Sequence, residues 1–263
     1  MFNEQDILIK DEIKKGLPSF YNELEVFDTI DSTNDYIKKV SSIKKEGFIC
    51  ISDAQSKGKG RNGRTFFSPK QKGIYMSILL KPNLEISESL KLTACASVAV
   101  FDAIKKNYGI EVAIKWINDI YYHDFKIGGI LCVTELETNK TTTEYMIVGI
   151  GLNIHKTDFT EELKNIAAPI ENFTTKVKSR NDIIKDILIF FHKYYQELNT
   201  LSFLPKYKKY SSVLKNYITV YESNTSYQAF VEDINNDASL IIKTEDGEVK
   251  TLNSGEISIR KKI

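Results

Sequence analysis

Gln55-Ser56-Lys57-Gly58-Lys59-Gly60-Arg61-Asn62-Gly63-Arg64 places four cations among three glycines within ten residues. The chain has only 13 glycines, so this concentration marks backbone that turns sharply or lies close to a ligand. Phe48 to Asp53 reads as a strand ahead of it. Behind it, Ile74, Met76, Ile78 and Leu80 alternate with Tyr75, Ser77 and Leu79 as a second strand. A glycine-rich cationic loop between two strands lets backbone N–H groups converge on an anion while guanidinium and ammonium groups add charge-assisted hydrogen bonds. Such a loop is a cradle for phosphate or carboxylate; a solvated, mobile basic loop has the same composition.

Gly58, Gly60 and Gly63 satisfy G-x-G-x-x-G, but a dinucleotide site needs a helix opening at the loop and an acid about 20 residues later. Thr65-Phe66-Phe67-Ser68-Pro69 instead continues as extended or turn structure, and no acid falls between Arg64 and Glu85. A Walker A loop and the kinase HRD and DFG triplets are also absent.

Outward from the loop, Ser87 to Tyr108 reads as a helix stopped by Gly109, followed by a strand from Glu111 to Trp116. Ile120 to Tyr122 and Ile127 to Glu135 flank a turn at His123 and Asp124. Glu144 to Ile150 follows a second turn at Thr138, Asn139 and Lys140. Ser179 caps a helix whose apolar positions Ile183, Ile187, Phe190, Phe191, Tyr194 and Leu198 repeat at helical spacing, which is the pattern of core. After about Ser212 the period changes to short strands at 218–221, 227–234, 240–243, 249–252 and 257–260. The expected fold is α+β: a mixed β-sheet with flanking helices over residues 1–212, then a small β-barrel over 213–263.

The 263 residues suit one large domain plus a small one, and 42% apolar with 27% charged residues is globular composition. A formal charge of +1 names no nucleic-acid or membrane partner. Cys50, Cys95 and Cys132 form neither a disulfide framework nor a CxxC site, which fits a reducing compartment. His123, His155 and His192 are scattered, so no structural metal site is expected. Glu4, Asp6 and Asp11 replace the basic start of a signal peptide, and no uncharged run is long enough to span a bilayer. A cytoplasmic protein without a membrane partner is expected.

Three further stretches carry polar groups in suggestive places. In Asp31-Ser32-Thr33-Asn34-Asp35, Ser32 suits the N-cap of a helix from Thr33, and the same short side chains form a donor and acceptor array for a neutral polar ring. Lys115-Trp116-Ile117-Asn118-Asp119 ends one strand and starts another, with Lys126 across the hairpin just before Ile127-Gly128-Gly129. Strand-end lysines are commonly solvated edge charges, yet Asp119 also suits Mg²⁺ or a ribose, and Lys126 a carboxylate or α-phosphate. Val148-Gly149-Ile150-Gly151-Leu152-Asn153 brings a small-residue strand and an amide to the same sheet.

In this order and spacing, these motifs resemble the biotin protein ligases, from about Ser32 to Asn153 and again at Gly255-Glu256-Ile257-Ser258-Ile259-Arg260. The resemblance implies a class II synthetase-like catalytic domain followed by an SH3-like barrel. It implies an enzyme that joins biotin to ATP, with Mg²⁺, as biotinyl-5′-AMP. Biotin then passes to a lysine of the biotin carboxyl carrier protein of acetyl-CoA carboxylase or a related carboxylase. Ser32, Thr33, Asn34, Gln55, Lys59, Gly60, Arg61, Lys126 and Gly129 would bind biotin. Gly58, Arg61, Arg64, Phe66, Lys115, Asn118, Asp119 and Asn153 would bind ATP, and Lys126, Arg61 and Asp119 would carry catalysis. This sequence has Lys59 where Arg is common, Asn62 where a second basic residue is common, Phe66 for Trp and Ile117 for Pro; the last is expected to leave the turn before Asn118 less rigid.

Family members that also repress transcription carry a helix-turn-helix domain ahead of the catalytic part. Only about thirty residues precede Ser32, so no specific DNA binding is expected. A homodimer formed through an exposed sheet edge is an assembly the resemblance allows. The alternative is a lipoate or octanoate ligase or transferase of similar fold. Polar residues in the ring site argue for biotin's ureido group, since burying them unpaired against an alkyl chain costs about 1–3 kcal/mol each.

Overall fold

The computed structural model describes residues 6–82, 84–136, 141–222 and 225–259. The turn at Thr138, Asn139 and Lys140 and the last strand residue Arg260 lie outside the described residues. Seven strands form a mixed sheet: β1 (Leu24–Ile30), β2 (Ile49–Gln55), β3 (Gly73–Leu80), β4 (Ala113–Lys115), β5 (Asp119–Tyr122), β6 (Phe125–Leu136) and β7 (Thr143–Asn153). Their spatial order is β1-β2-β3-β7-β6-β5-β4, with β1 parallel to β2 and every other neighbour antiparallel.

Strand β3 is buried along its whole length, and its alternation assigns the two faces. Ile74, Met76, Ile78 and Leu80 join the main core with α3 (Ser89–Tyr108) and α4 (Arg180–Gln196). On the opposite face, Leu79 packs with Ile37 of α2 (Thr33–Val40), Phe48, Cys50, Tyr145 and Ile147. Ser77 lies on this second face. So does the cavity described below.

The sequence reading placed most elements within one to three residues of their observed ends. The strand expected from Glu111 starts at Ala113, and the helix expected from Ser87 starts at Ser89 after a short 3₁₀ turn. Three elements were missed: β1, the five-residue helix α1 (Lys10–Lys14) and α5 (Leu204–Lys209). The open edge of β4 is covered by the chain after α5, where Ile114 exchanges backbone hydrogen bonds with Tyr210 and Ser212.

The C-terminal strands β8 (Tyr217–Glu222), β9 (Thr225–Ile234), β10 (Leu240–Thr244), β11 (Val249–Leu252) and β12 (Glu256–Ile259) form a second sheet, all antiparallel, in the order β11-β10-β9-β8-β12. This is the SH3-like part of the fold. Its Val220, Val231 and Ile242 belong to the same contiguous core as the mixed sheet. Trp116 Nε1 donates to Ala238 O across the junction at 2.9 Å.

One ionic cluster ties the N-terminal segment down. Arg180, 0% exposed, donates from NH1 to Asp53 Oδ1 at 2.7 Å and Gly73 O at 2.9 Å, and from Nε to Asp6 Oδ2 at 3.1 Å. His155 bridges the same Asp6 at 2.8 Å and Glu171 at 2.7 Å. Burial disfavours the imidazolium, but hydrogen bonds to Asp6 and Glu171 outweigh it, so His155 titrates above its ordinary value. Asp6 is held below its ordinary value, because hydrogen bonds from His155 and Arg180 outweigh its own burial.

A raised histidine contributes stability in full below its unfolded pKa of about 6.5 and loses it as pH rises through the folded value. The depressed Asp6 contributes above about pH 4 and loses its contribution on acidification through its folded value. The cluster is therefore strongest between about pH 4 and 6.5. In thermal unfolding, His155→Gln is expected to lose more stability at pH 6 than at pH 8.5, by a margin on the order of 1 kcal/mol. An equal loss at both pH values would contradict the assignment.

Candidate active site

The face of the mixed sheet that carries Ser77 also carries the site, and the strand register shows why. Side chains directly opposite in an antiparallel pair share a face. Ser77 pairs with Gly149 and Tyr75 with Gly151. Gly149 in turn pairs with Leu131, and Gly151 with Gly129. Gly129 pairs with Asp119 on β5. A regular hairpin would then set Tyr121 opposite Ile127. A bulge between Ile120 and Tyr121 shifts the register so that Tyr121 faces Lys126 instead. Lys126 thereby joins Asp119 on the cavity side, 2.6 Å away, and Ile127 turns into the core at 0% exposure.

Glycines at 149 and 151 open this face. A Cβ on Gly149 would lie 2.4 Å from Asn34 Oδ1, and one on Gly151 would lie 2.7 Å from the Phe66 ring. The two positions therefore let Asn34 and Phe66 rest directly on β7. Phe66 also meets Tyr75 edge to face at 6.3 Å.

The resulting cavity has a volume of about 420 Å³. Of the residues singled out from sequence, Ser32, Thr33, Asn34, Gln55, Lys59, Gly60, Arg61, Arg64, Phe66, Lys115, Asn118, Asp119, Lys126, Gly129 and Asn153 all line it. Gly58 does not. It faces the returning limb of its own loop, where a Cβ would sit 2.4 Å from Phe66 O and 2.6 Å from Ser68 Oγ.

Ser32 is the N-cap of α2, its Oγ accepting from Asp35 N at 3.4 Å, which puts Thr33 and Asn34 in the first helical turn. Gln55, at the end of β2, accepts from Thr33 N at 2.9 Å and donates to Ser68 Oγ at 3.0 Å. The glycine loop is itself a narrow turn, with Gly60 N donating to Arg64 O at 2.7 Å and Phe66 N to Gly58 O at 2.9 Å. Lys59 reaches Asp35 at 2.8 Å. Arg61 spans the cavity, donating to Asn118 Oδ1 at 3.3 Å and to Gly255 O of the segment between β11 and β12 at 3.0 Å, while Arg64 pairs with Glu256. Burial pulls the Arg61 guanidinium below its ordinary value, and burial also pushes the Tyr121 phenol up to about 12.

The turn holding Asn118 is fixed on several sides. The Trp116–Ile117 peptide is cis, Tyr207 donates to Ile117 O at 3.1 Å, and Asn118 Nδ2 donates to Ile130 O at 2.9 Å. Ile117, where a looser turn was expected without proline, is 6% exposed and packed beneath these hydrogen bonds.

Phe159, Leu163, Ile166 and Ala167 form a wall that sequence reasoning did not find. Lys126 N donates to Ile166 O at 2.8 Å and Ala168 N to Lys126 O at 3.1 Å, which locks this segment beside the lysine. The available signal was the apolar spacing of Phe159, Leu163 and Ile166 ahead of Pro169. Five cations (Lys59, Arg61, Arg64, Lys115 and Lys126) and two carboxylates (Asp119 and Glu256) line the cavity. Such a balance attracts anionic ligands, and the neutral amides and hydroxyls on the α2 side suit an uncharged polar ring.

Comparison with known proteins shows the family. The sequence model of the biotin/lipoate A/B protein ligase family matches residues 26–153. The bifunctional ligase/repressor BirA of Bacillus spizizenii is 30% identical over 260 residues, covering 96% of this chain and 79% of the relative. The biotin–[acetyl-CoA-carboxylase] ligase of Mycobacterium tuberculosis is 25% identical over 179 residues, 66% of this chain and 64% of the relative. Among solved structures, biotin protein ligase from Aquifex aeolicus in complex with biotin and ATP superposes with a TM-score of 0.78 at 27% identity, over 91% of this chain and 99% of that one. The chain belongs to the biotin protein ligases, within the biotin/lipoate A/B protein ligase family.

The close approach at Gly149 gives a direct test. Gly149→Ala is expected to displace Asn34 and to cost about 1–3 kcal/mol, as overpacking in a filled interior does. Urea unfolding measures it, and a wild-type midpoint would show that Asn34 does not rest on β7.

Proposed function

We propose that the cavity joins biotin to ATP as biotinyl-5′-AMP and then delivers biotin to a lysine on the carrier domain of a biotin-dependent carboxylase. The observation that carries this reading is the meeting, in one cavity, of a neutral polar floor at Ser32, Thr33, Asn34 and Gln55 with five cations. A ureido ring with an acid tail and a triphosphate require those two surroundings side by side. Lipoate's dithiolane would leave the polar floor unpaired, at about 1–3 kcal/mol per buried group, so the floor favours biotin.

In the first step a carboxylate oxygen of biotin attacks the α-phosphorus of ATP, the bond to the β-phosphate oxygen breaks, and pyrophosphate leaves. Two anions must approach each other, so the protein contributes positioning and cations and needs no nucleophile of its own. Lys126 would hold both the carboxylate and the α-phosphate, exchanging its contact with Asp119 for the substrates. Arg61 and Arg64 face the phosphates, and Gly60 with Lys59 bounds the biotin side. Phe66, in contact with Gly151, would offer a stacking face for adenine, with Lys115, Asn118 and Asn153 around the nucleotide. In the second step a carrier lysine, as the free amine, attacks the biotinyl carbonyl. An amide forms, AMP departs and the amine loses its proton.

Mg²⁺ fits the residues present. Asp119 supplies a carboxylate to the cavity, and Mg²⁺ characteristically takes one or two carboxylates together with substrate phosphate oxygens. Held by Asp119 together with the nucleotide's phosphates, the ion would neutralise charge there. We assign catalysis to residues 1–212 and the SH3-like unit to 213–263, whose described part contains all five strands of the second sheet. Cys50, Cys95 and Cys132 are free, which supports a reducing, cytoplasmic location. Among the described residues no helix is long and apolar enough to cross a membrane.

Biotin-dependent exchange of labelled pyrophosphate into ATP tests the reading, with lipoate as the control substrate. Lys126→Ala is expected to lower the exchange rate by about 10²–10³, the usual loss for one electrostatic donor. A near wild-type rate would remove Lys126 from the chemistry, and exchange driven by lipoate rather than biotin would overturn the function.

A further inference from the structure

Beneath the cavity floor lies a hydroxyl that the sequence did not single out. Ser77 on β3 is 0% exposed and does not line the cavity. Its Oγ lies 2.7 Å from Thr33 Oγ1 and 2.5 Å from Asn34 Oδ1. The Asn34 oxygen can only accept, so the single Ser77 proton serves it and the Ser77 lone pairs face the Thr33 hydroxyl. The Thr33 hydroxyl thus faces two acceptors inside the network, Ser77 Oγ at 2.7 Å and Gln55 Oε1 at 3.2 Å, and one Asn34 Nδ2 proton goes to Leu131 O at 3.3 Å.

Gln55 is oriented in turn. Its Nε2 donates to Ser68 Oγ at 3.0 Å, and Ser68 gives its only proton to Phe66 O at 2.9 Å. A backbone carbonyl therefore terminates the chain of hydrogen bonds at each end, at Phe66 and at Leu131, and fixes its direction. Thr33 is left with lone pairs for a ligand and no proton. Ser32 beside it is set the opposite way: its Oγ accepts from Asp35 N, and that contact leaves its own proton free to donate.

We infer that Ser77 is a positioning residue for the substrate ring: it holds Thr33 Oγ1 as an acceptor, so that the site reads an N–H at that place and rejects an oxygen there. The inference rests on the reading that biotin occupies this cavity, since its cyclic urea sets N–H groups beside a carbonyl. Ser77 acts through Thr33 and does not touch the ligand. A ring oxygen in place of the N–H would oppose one lone pair with another, and a site built to pair a donor discriminates against analogues that lack it.

The test is pyrophosphate exchange by the full chain with biotin and with its two cyclic carbamate analogues, each having one ureido N–H replaced by oxygen. The wild-type protein is expected to prefer biotin over at least one carbamate by about 10²-fold. Ser77→Ala should raise the KM for biotin about 10-fold, as one lost hydrogen bond does, with kcat and the KM for ATP changed less than about two-fold. The preference for biotin over that carbamate should fall at least about five-fold, because the Thr33 hydroxyl can then turn its proton to the ring oxygen. Ser77→Cys, which nearly keeps the volume and retains a weak donor, should lie between the two. If biotin and carbamate lose affinity in parallel, or neither does, Ser77 only fills space and the inference is wrong. Should the alanine variant melt at a markedly lower temperature, the cysteine variant is judged by the same ratio. A wild-type protein that turns over neither biotin nor carbamates would instead overturn the reading of the cavity.

Discussion

Which way Lys126 faces is decided by the bulge between Ile120 and Tyr121. Side chains alternate strictly along a strand, so a one-residue change of register exchanges the two faces. With the bulge, Lys126 stands beside Asp119 over the cavity and Ile127 is buried in the core. Without it, an isoleucine would face the ligand and an ammonium group would enter an apolar interior, an arrangement that costs several kcal/mol. The hairpin that closes the sheet and the chemistry of the cavity therefore share one backbone irregularity. The 159–168 segment depends on it as well, because that segment is held through the backbone of Lys126.

A second constraint acts at β7. Two glycines two positions apart let Asn34 come from the helix side and Phe66 from the loop side onto the same face of the strand. The polar floor and the aromatic face of the cavity thus stand on adjacent places of one rigid element. Binding groups carried by a strand are held more closely than groups on free loops, which suits a reaction that depends on bringing two anions into line.

Much of this was readable from residues alone because the decisive signals are local. The alternation in β3, the stop at Gly109 and the cap at Ser179 all state their structure within a few residues. Strand β1 was missed because Glu25 and Asp28 interrupt its apolar pattern and it sits at the sheet edge with few fully buried positions. The bulge, the wall at Phe159 to Ala167 and the support from Ser77 were hidden for a different reason. Each depends on a partner distant in the chain, and a buried serine in an apolar strand looks the same in sequence whether it fills space or directs a proton. The turn at Ile117 shows the same thing, since its packing and its hydrogen bond from Tyr207 come from tertiary partners that its residue type does not announce.

The roof over the cavity joins Arg61 to Gly255, groups 194 residues apart. During synthesis the mixed sheet and its helices can assemble before the last strand has left the ribosome. At that stage the floor exists without its cover. A partly made ligase is therefore an open dish, and the arginine strap across it is fastened only once translation has passed Gly255.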